Sequence, residues 1–131
     1  MRALIAESDP TVGHFLQTCL HGWGHVAMLV HDASEARRTL AEPDVPRLLL
    51  LDWRLPDLGA AFARALRGNV DLPYVYVLAM IDEDAPGDVS DSAEAGVDGY
   101  LIRPFSVRDL QWRLHLVEGV LQTQDARQQG Q

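Results

Sequence analysis

The sequence contains no lysine, since all eleven of its basic residues are arginine. It has a single cysteine, Cys19, so neither an intramolecular disulfide nor a zinc site built from cysteines is expected. No apolar run approaches the roughly 20 residues of a membrane helix, and no signal peptide is expected at the start. The formal net charge of −8 argues against a basic face for nucleic acid or anionic membranes. These absences predict a cytoplasmic, soluble domain without direct nucleic-acid or membrane contact.

The 131 residues suit one domain with one core. Short apolar runs alternate with segments of helical periodicity along the whole chain. The predicted strands are 3–6, 26–30, 48–51, 74–79 and 100–102. The predicted helices are 10–22, 32–42, a short one carrying Phe62 and Leu66, 89–95, and one from Ser106 to about 122. Five strand–helix units in this order predict an α/β fold with a parallel sheet and helices on both faces.

Four of the predicted strands end at notable residues. Glu7 and Ser8 follow the first strand, Asp52 follows the leucine run 48–51, Ala79 ends the fourth strand and Arg103 ends the fifth. In parallel sheets the functional crevice lies at the carboxyl ends of the strands, so these residues are expected to converge. A carboxylate in such a place can bind Mg²⁺ and can accept a phosphoryl group. The sequence therefore predicts an anionic site centred on Asp52.

Five segments carry a family resemblance: LIAESDPTV, LLLLDWRLPD, VYVLAM, EAGVDGYLIRPF and DLQWRLHLVEGVL. In order and spacing they resemble response-regulator receiver domains of two-component signalling, over about residues 2–122. The resemblance implies a flavodoxin-like (βα)5 doubly wound sheet with strand order 2-1-3-4-5. Residues 1–122 would form the receiver domain. Residues 123–131 would be a polar, frayed tail or the start of a linker to a missing output domain, such as a diguanylate cyclase.

The same resemblance assigns roles to residues of the site. Asp52 would be the phosphoacceptor, and Glu7 with the main-chain carbonyl of Arg54 would bind Mg²⁺. Tyr100 would be the aromatic residue of the conformational switch. The Arg103-Pro104 peptide bond would match a bond that is often cis in the family.

Three positions depart from the family pattern. Ser8 replaces the second acid, which leaves Ser8 or Asp9 as a substitute metal ligand, although Asp9 is better explained as a helix N-cap. Ala79 replaces the switch serine or threonine and cannot form a hydrogen bond to a phosphoryl oxygen. A hydrogen bond of this kind, to a charged group, contributes about 1.5–3 kcal/mol. Arg103 replaces the site lysine, and a guanidinium can donate two parallel hydrogen bonds to one carboxylate. We therefore expect weakened Mg²⁺ binding, and we expect Arg103 to pair with Asp52 or Glu7 in imitation of a metal-occupied site.

The last helix has two apolar rows. One row is predicted to face the sheet and contains Val107, Leu110, Leu114, Val117 and Leu121. The other row, Trp112, Leu116 and Val120, either packs along a neighbouring helix or forms a dimer face. By resemblance, the surface of helix 4, strand 5 and helix 5 would mediate homodimer or output contacts, with Asp98, Tyr100 and Arg113 taking part.

Three functions remain open on the sequence alone. The favoured one is an atypical or pseudo-receiver that acts through protein contacts, with weak or no phosphorylation at Asp52. The second is a working Mg²⁺-dependent receiver, phosphorylated on Asp52 by a histidine kinase or phosphotransfer protein. Neither is an enzyme beyond self-phosphorylation and self-dephosphorylation. The third is a flavodoxin-like small-molecule-binding domain or enzyme. The lack of a Gly-rich or Walker loop after any predicted strand argues against it.

Overall fold

The computed structural model describes residues 1–55 and 57–129, and within them five strands alternate with five helices. The strands are β1 (Arg2–Ala6), β2 (Val26–Val30), β3 (Leu48–Asp52), β4 (Tyr76–Asp82) and β5 (Gly99–Arg103). The helices are α1 (Pro10–Gly22), α2 (Ala33–Leu40), α3 (Ala60–Gly68), α4 (Gly87–Glu94) and α5 (Val107–Gln129).

The strands form one parallel sheet in the order β2-β1-β3-β4-β5. This order confirms the predicted flavodoxin-like topology. The chain leaves β1 for β2 on one side and later returns to the other side of β1 with β3, so the direction of winding reverses there. A reversal of this kind opens a crevice at the carboxyl ends of the two central strands. The loops after β1, β3, β4 and β5 therefore border one site.

Apolar side chains cover both faces of the sheet. One face packs against α1 and α5, with Leu16 and Leu110 fully buried there. The other face packs against α2 and α3, through residues such as Ala36 and Phe62. All residues of β3 are buried, which is the expected result for a continuous apolar run in a central parallel strand. This double layer holds the end of β3 rigidly in the middle of the sheet.

Side-chain caps set the start of several helices. Oδ1 of Asp9 accepts a hydrogen bond from the backbone N–H of Thr11 (2.9 Å), which confirms Asp9 as the N-cap of α1. Oδ1 of Asp32 accepts from a backbone N–H three residues further on (2.8 Å). Before α5, Ser106 and Asp109 each accept a bond from the other's backbone N–H (3.1 and 3.0 Å). This reciprocal pattern is a capping box.

Two elements in the middle of the chain have different bounds from those predicted. The fourth strand was placed at 74–79, but β4 begins at Tyr76 and continues to Asp82. Met80 and Ile81 extend the apolar run and are fully buried, so the strand does not stop at Ala79. The fourth helix begins at Gly87, two residues earlier than the predicted 89. The shift at β4 matters because it brings Asp82 to the site.

The last helix is longer than predicted, and its first turn is more exposed. It continues past 122 to Gln129, where a frayed tail was expected. Asp125 in this extension forms an ion pair (2.8 Å) with Arg47, the residue that precedes β3. The expectation that Val107 faces the sheet is wrong, since its side chain is 46% exposed, whereas Leu110 in the same turn is fully buried. Along the described residues no helix is both long enough and apolar enough to cross a membrane, α5 included.

Candidate functional site

Charged side chains from four strand ends meet at the carboxyl edge of the sheet. Glu7 follows β1, Asp52 ends β3, Asp82 ends β4 and Arg103 ends β5. Arg54, two residues after β3, extends its guanidinium among the three carboxylates. We call this set of five residues the acidic hollow. The convergence predicted from the strand ends is therefore present, with Asp52 at its centre.

Both carboxylate oxygens of Asp52 are engaged in contacts with neighbouring donors. Oδ2 accepts from the hydroxyl of Ser8 (3.0 Å) and from its backbone N–H (3.4 Å). Oδ1 accepts from the backbone N–H (3.1 Å) and the Nε (3.2 Å) of Arg54, and lies 3.2 Å from Nη2 of Arg103. Burial alone would raise the pKa of Asp52, but the bonds from Arg54 and the nearby guanidinium charges hold it below its ordinary value. Asp52 is thus an ionised carboxylate, fully buried and saturated with donors.

Arg103 bridges two buried carboxylates. Its Nη2 donates to Oε2 of Glu7 and contacts Oδ1 of Asp52, so the predicted pairing occurs with both acids. The side chain is only 11% exposed, and its Nε lies 3.8 Å from Oδ1 of Asp82, beyond hydrogen-bonding distance. The following peptide bond, Arg103-Pro104, is cis, as expected. Arg103 therefore supplies a fixed positive charge from the β5 side of the hollow.

Glu7 has no solvent exposure and faces both guanidinium groups. Its Oε1 accepts from the backbone N–H of Asp9 (3.2 Å) and lies 3.5 Å from Nη2 of Arg54. Burial raises the pKa of Glu7 above its ordinary value, and the hydrogen bond and charge of Arg103 offset only part of this effect. The pKa values of Glu7 and Asp52 are thus shifted in opposite directions, although both acids contact Arg54 and Arg103.

The donor set suits a divalent cation poorly. Mg²⁺ prefers carboxylate, carbonyl and water oxygens, but the Asp52 oxygens already accept bonds from Ser8, Arg54 and Arg103. The carboxylate of Asp9, a predicted substitute ligand, points instead at the first turn of α1. In the described part of the chain no group of three or more His, Cys, Asp or Glu residues is arranged to hold a metal. As arranged, the residues do not fit Mg²⁺.

Ala79 and Tyr100 are direct neighbours across the β4–β5 pairing. Ala79 is fully buried and has no side-chain polar atom, so it offers nothing to a phosphoryl oxygen at Asp52. Tyr100 is half-buried, and the guanidinium carbon of Arg113 lies 5.1 Å from the centre of its ring. This cation–π contact holds Tyr100 against α5.

The predicted interface residues separate into two groups. Asp98 is engaged within its own chain, because it accepts bonds from Arg67, Tyr74 and the backbone N–H of Val77 (2.8 Å). Exposed apolar surface lies on α5 instead: Trp112 is 60% exposed and Leu116 is 37% exposed, while Val120 packs against the core. A groove of about 270 Å³ runs between Trp112, Tyr100 and Arg113.

Sequence reasoning overlooked two members of the hollow. Asp82 lies outside the predicted fourth strand, 74–79, although the unbroken apolar run from Val75 to Ile81 indicates a strand that reaches residue 82. Arg54 was considered only for its main-chain carbonyl. Its side chain contacts Asp52, Glu7 and Asp82, and the available signal was a basic residue two positions after the acid that ends a buried strand.

The chain resembles known signalling proteins over most of its length. A family model described as the response regulator receiver domain matches residues 3–115. The KDP operon transcriptional regulatory protein KdpE of Escherichia coli K12 is 36% identical over 116 residues, which are 86% of this chain and 49% of KdpE. The DNA-binding response regulator MtrA of Mycolicibacterium smegmatis is 33% identical over 110 residues, which are 83% of this chain and 46% of MtrA. The chain thus spans about half the length of these relatives.

A solved structure has the same architecture. The signal receiver domain of a signal transduction histidine kinase from Syntrophus aciditrophicus superposes with a TM-score of 0.79 at 29% sequence identity. The superposition covers 88% of each chain.

Proposed function

This chain belongs to the response regulator receiver domain family of two-component signalling, and we propose that it is an atypical receiver. In this proposal it transmits signals through protein contacts, with weak or no phosphorylation at Asp52. Its role is that of a switchable interaction module rather than an enzyme that turns over a substrate. The proposal also places the domain in the cytoplasm.

One observation carries the proposal: the carboxylate of Asp52 is occupied by the chain's own donors. Ser8, Arg54 and Arg103 all bond or contact it at 3.0–3.4 Å. A nucleophilic oxygen must be free to approach phosphorus, and each bond to a charged group that has to be broken costs about 1.5–3 kcal/mol. Attack by Asp52 should therefore be slow.

Two further features support weak phosphorylation. Ser8 cannot supply the negative charge of a second metal-binding carboxylate, so we propose that Mg²⁺ binds weakly. Ala79 cannot donate a hydrogen bond to a phosphoryl oxygen, so a phosphoryl group on Asp52 would not pull β4 towards it. With both features, phosphorylation of Asp52 would be weak and would have little effect on the conformation of the α5 and β5 surface.

The protein contacts are assigned to the outer face of α5 and β5. Trp112 and Leu116 provide exposed apolar surface there. Arg108 and Asp109, both exposed on the same helix, provide charges of both signs. A face with both signs can pair with its own copy about a two-fold axis. We therefore propose a second copy of this chain as the occupant, through helix 4, strand 5 and helix 5.

Output in the whole protein would come from a further domain. KdpE and MtrA are a transcriptional regulatory protein and a DNA-binding response regulator, respectively, and each is about twice as long as the matched region. The acidic composition of the present domain makes it unsuited to bind nucleic acid itself. Its proposed partners are an output domain and a histidine kinase or phosphotransfer protein.

The alternative is a working phosphoacceptor receiver, and the retention of Asp52 at the end of β3 favours it. Incubation with acetyl phosphate and Mg²⁺, followed by intact mass measurement, separates the two functions. We expect little or no product with the natural sequence, and none with Asp52→Asn. Rapid formation of a singly phosphorylated species that is lost in Asp52→Asn would overturn the atypical receiver and establish the alternative.

A further inference from the structure

The guanidinium of Arg54 lies among three carboxylates that come from three different strand ends. Its Nε is 3.2 Å from Oδ1 of Asp52, its Nη2 is 3.5 Å from Oε1 of Glu7, and its Nη1 is 3.7 Å from Oδ1 of Asp82. Each nitrogen thus faces a different acid. A cation that bound these acids together would have to occupy the same space.

Arg54 and Arg103 hold this position in different ways. The side chain of Arg54 is 44% exposed, whereas that of Arg103 is 11% exposed. Arg54, Asp82 and Arg103 all line an open cavity of about 530 Å³, which Asp52 and Glu7 do not line. Both guanidinium groups therefore lie between Asp52 and this cavity, and Arg54 is the more exposed of the two.

The backbone of Arg54 does not depend on this placement of the side chain. Its N–H donates to Oδ1 of Asp52 (3.1 Å), a bond in which the guanidinium takes no part. The guanidinium contacts, at 3.2–3.7 Å from a side chain that is 44% exposed, are partly screened by solvent. The guanidinium can consequently leave the hollow without disturbing the loop that carries it.

We propose that the side chain of Arg54 is a displaceable internal cation that closes the acidic hollow and excludes divalent cations from Asp52, Glu7 and Asp82. This inference rests on the proposed function, because it names the residue that keeps Asp52 inaccessible. Its ligand class is a hard divalent cation such as Mg²⁺, which carboxylate oxygens prefer.

Charge balance supports this role for Arg54. The three carboxylates of the hollow face two guanidinium groups, so one negative charge is in excess. Without the Arg54 guanidinium the excess becomes two, which one divalent cation neutralises. Arg103 cannot be displaced in the same way, because its departure would leave Glu7 and Asp52 buried with little compensation.

The test is a titration with MgCl₂ in the absence of any phosphoryl donor, followed through the backbone amide NMR shifts of residues 7–9 and 52. Arg54→Met keeps the aliphatic stem and removes the charge. Arg64→Met, on the exposed side of α3, is the matched control. We expect Arg54→Met to bind Mg²⁺ about tenfold more tightly or better, as the loss of a competing charged contact predicts. Arg64→Met should match the natural sequence.

Equal Mg²⁺ affinity for Arg54→Met and the natural sequence would overturn the inference. Arg54→Gln is titrated alongside, so that a folding defect in one variant does not leave the question open. Phosphorylation of the natural sequence is measured separately with acetyl phosphate. If that phosphorylation is rapid while Arg54→Met still gains affinity, the proposed function fails and the role of Arg54 stands.

Discussion

Nη2 of Arg103 lies 3.2 Å from Oδ1 of Asp52, and the same nitrogen donates to Glu7. One enclosed guanidinium therefore serves two carboxylates that have no solvent exposure. Removal of one partner of a buried ion pair leaves the other charge without compensation, which is far more costly than the loss of an exposed pair. The position that holds lysine in the family thus has a structural role here, in addition to any role in signalling.

Arg103→Ala should lower the free energy of unfolding by about 3 kcal/mol, since Glu7 and Asp52 would remain buried with only the half-exposed Arg54 nearby. Urea denaturation at neutral pH measures this change. Arg108→Ala, on the exposed side of α5, is the control and should have little effect. Equal stability of Arg103→Ala and the natural sequence would show that the guanidinium does not compensate the two acids.

Restoration of the family residues should produce a phosphoacceptor. The combined variant Ser8→Asp, Ala79→Thr and Arg103→Lys returns the second acid, the switch hydroxyl and the ammonium group. Its phosphorylation by acetyl phosphate with Mg²⁺ should be at least about tenfold faster than that of the natural sequence, because each restored contact to a charged group contributes more than 1 kcal/mol. Intact mass over time provides the rate. The same variant with Asp52→Asn should show no product, and an unchanged rate would mean that these positions do not limit the chemistry.

Asp98→Asn should weaken the fold and change tyrosine ionisation. Burial, then the hydrogen bond and charge of Asp98, raise the pKa of Tyr74 far above its ordinary value, and burial with the same charge raises that of Tyr76. Without the charge, both phenols should ionise at lower pH, as read from tyrosinate absorbance. The amide of Asn keeps one acceptor oxygen but not the charge, so the bonds from Arg67 and Val77 should weaken by about 2 kcal/mol in total in urea denaturation.

Asp71→Asn, in an exposed loop, is the control for Asp98→Asn. An unchanged tyrosine titration in Asp98→Asn would mean that Asp98 does not contact Tyr74 in solution. It would then be available for the ion pair across a dimer that the family resemblance implies.

Asp109→Asn should destabilise the domain at neutral pH but not in acid. Hydrogen bonds from the backbone and the hydroxyl of Ser106 lower the pKa of Asp109 below its ordinary value of 3.8. A carboxyl with a lowered folded pKa stabilises the fold above its unfolded pKa, and this contribution disappears as pH falls through the folded pKa. The stability gap between Asp109→Asn and the natural sequence should therefore close below pH 3.8. Asp91→Asn, exposed on α4, should show no such gap.

Trp112→Ala should weaken self-association without altering the fold. Its side chain is 60% exposed on α5, so truncation removes surface rather than core, and aromatic residues of this kind often dominate interface energetics. Sedimentation velocity over a concentration series measures the dimer fraction. Val70→Ala, which alters an apolar side chain that is 92% exposed on a different part of the surface, is the control. Equal dimer fractions in the two variants would count against the α5 face.

Local pattern was sufficient to predict the sheet and much of the helix chemistry. The leucine run 48–51 indicated a central buried strand, Asp9 is the predicted N-cap of α1, and the last helix starts next to Ser106, where it was predicted to begin. The predicted bounds were wrong at Asp82 and at the end of α5. At Asp82 the apolar run up to Ile81 was a local signal that the predicted bound overlooked, whereas at the end of α5 the pair Arg47–Asp125 joins residues far apart in sequence and has no local signal.

The sequence by itself determined which chemical groups reach the site: a serine in place of an acid, an alanine in place of a hydroxyl, and arginine in a chain without lysine. It also determined the parallel α/β fold, because burial periodicity is a local property of the chain. Only the tertiary structure decided that Arg54 lies across the hollow and that Asp98 is bound within its own chain. Those outcomes depend on distances between residues far apart in sequence, and electrostatic interactions change steeply with such distances and with burial.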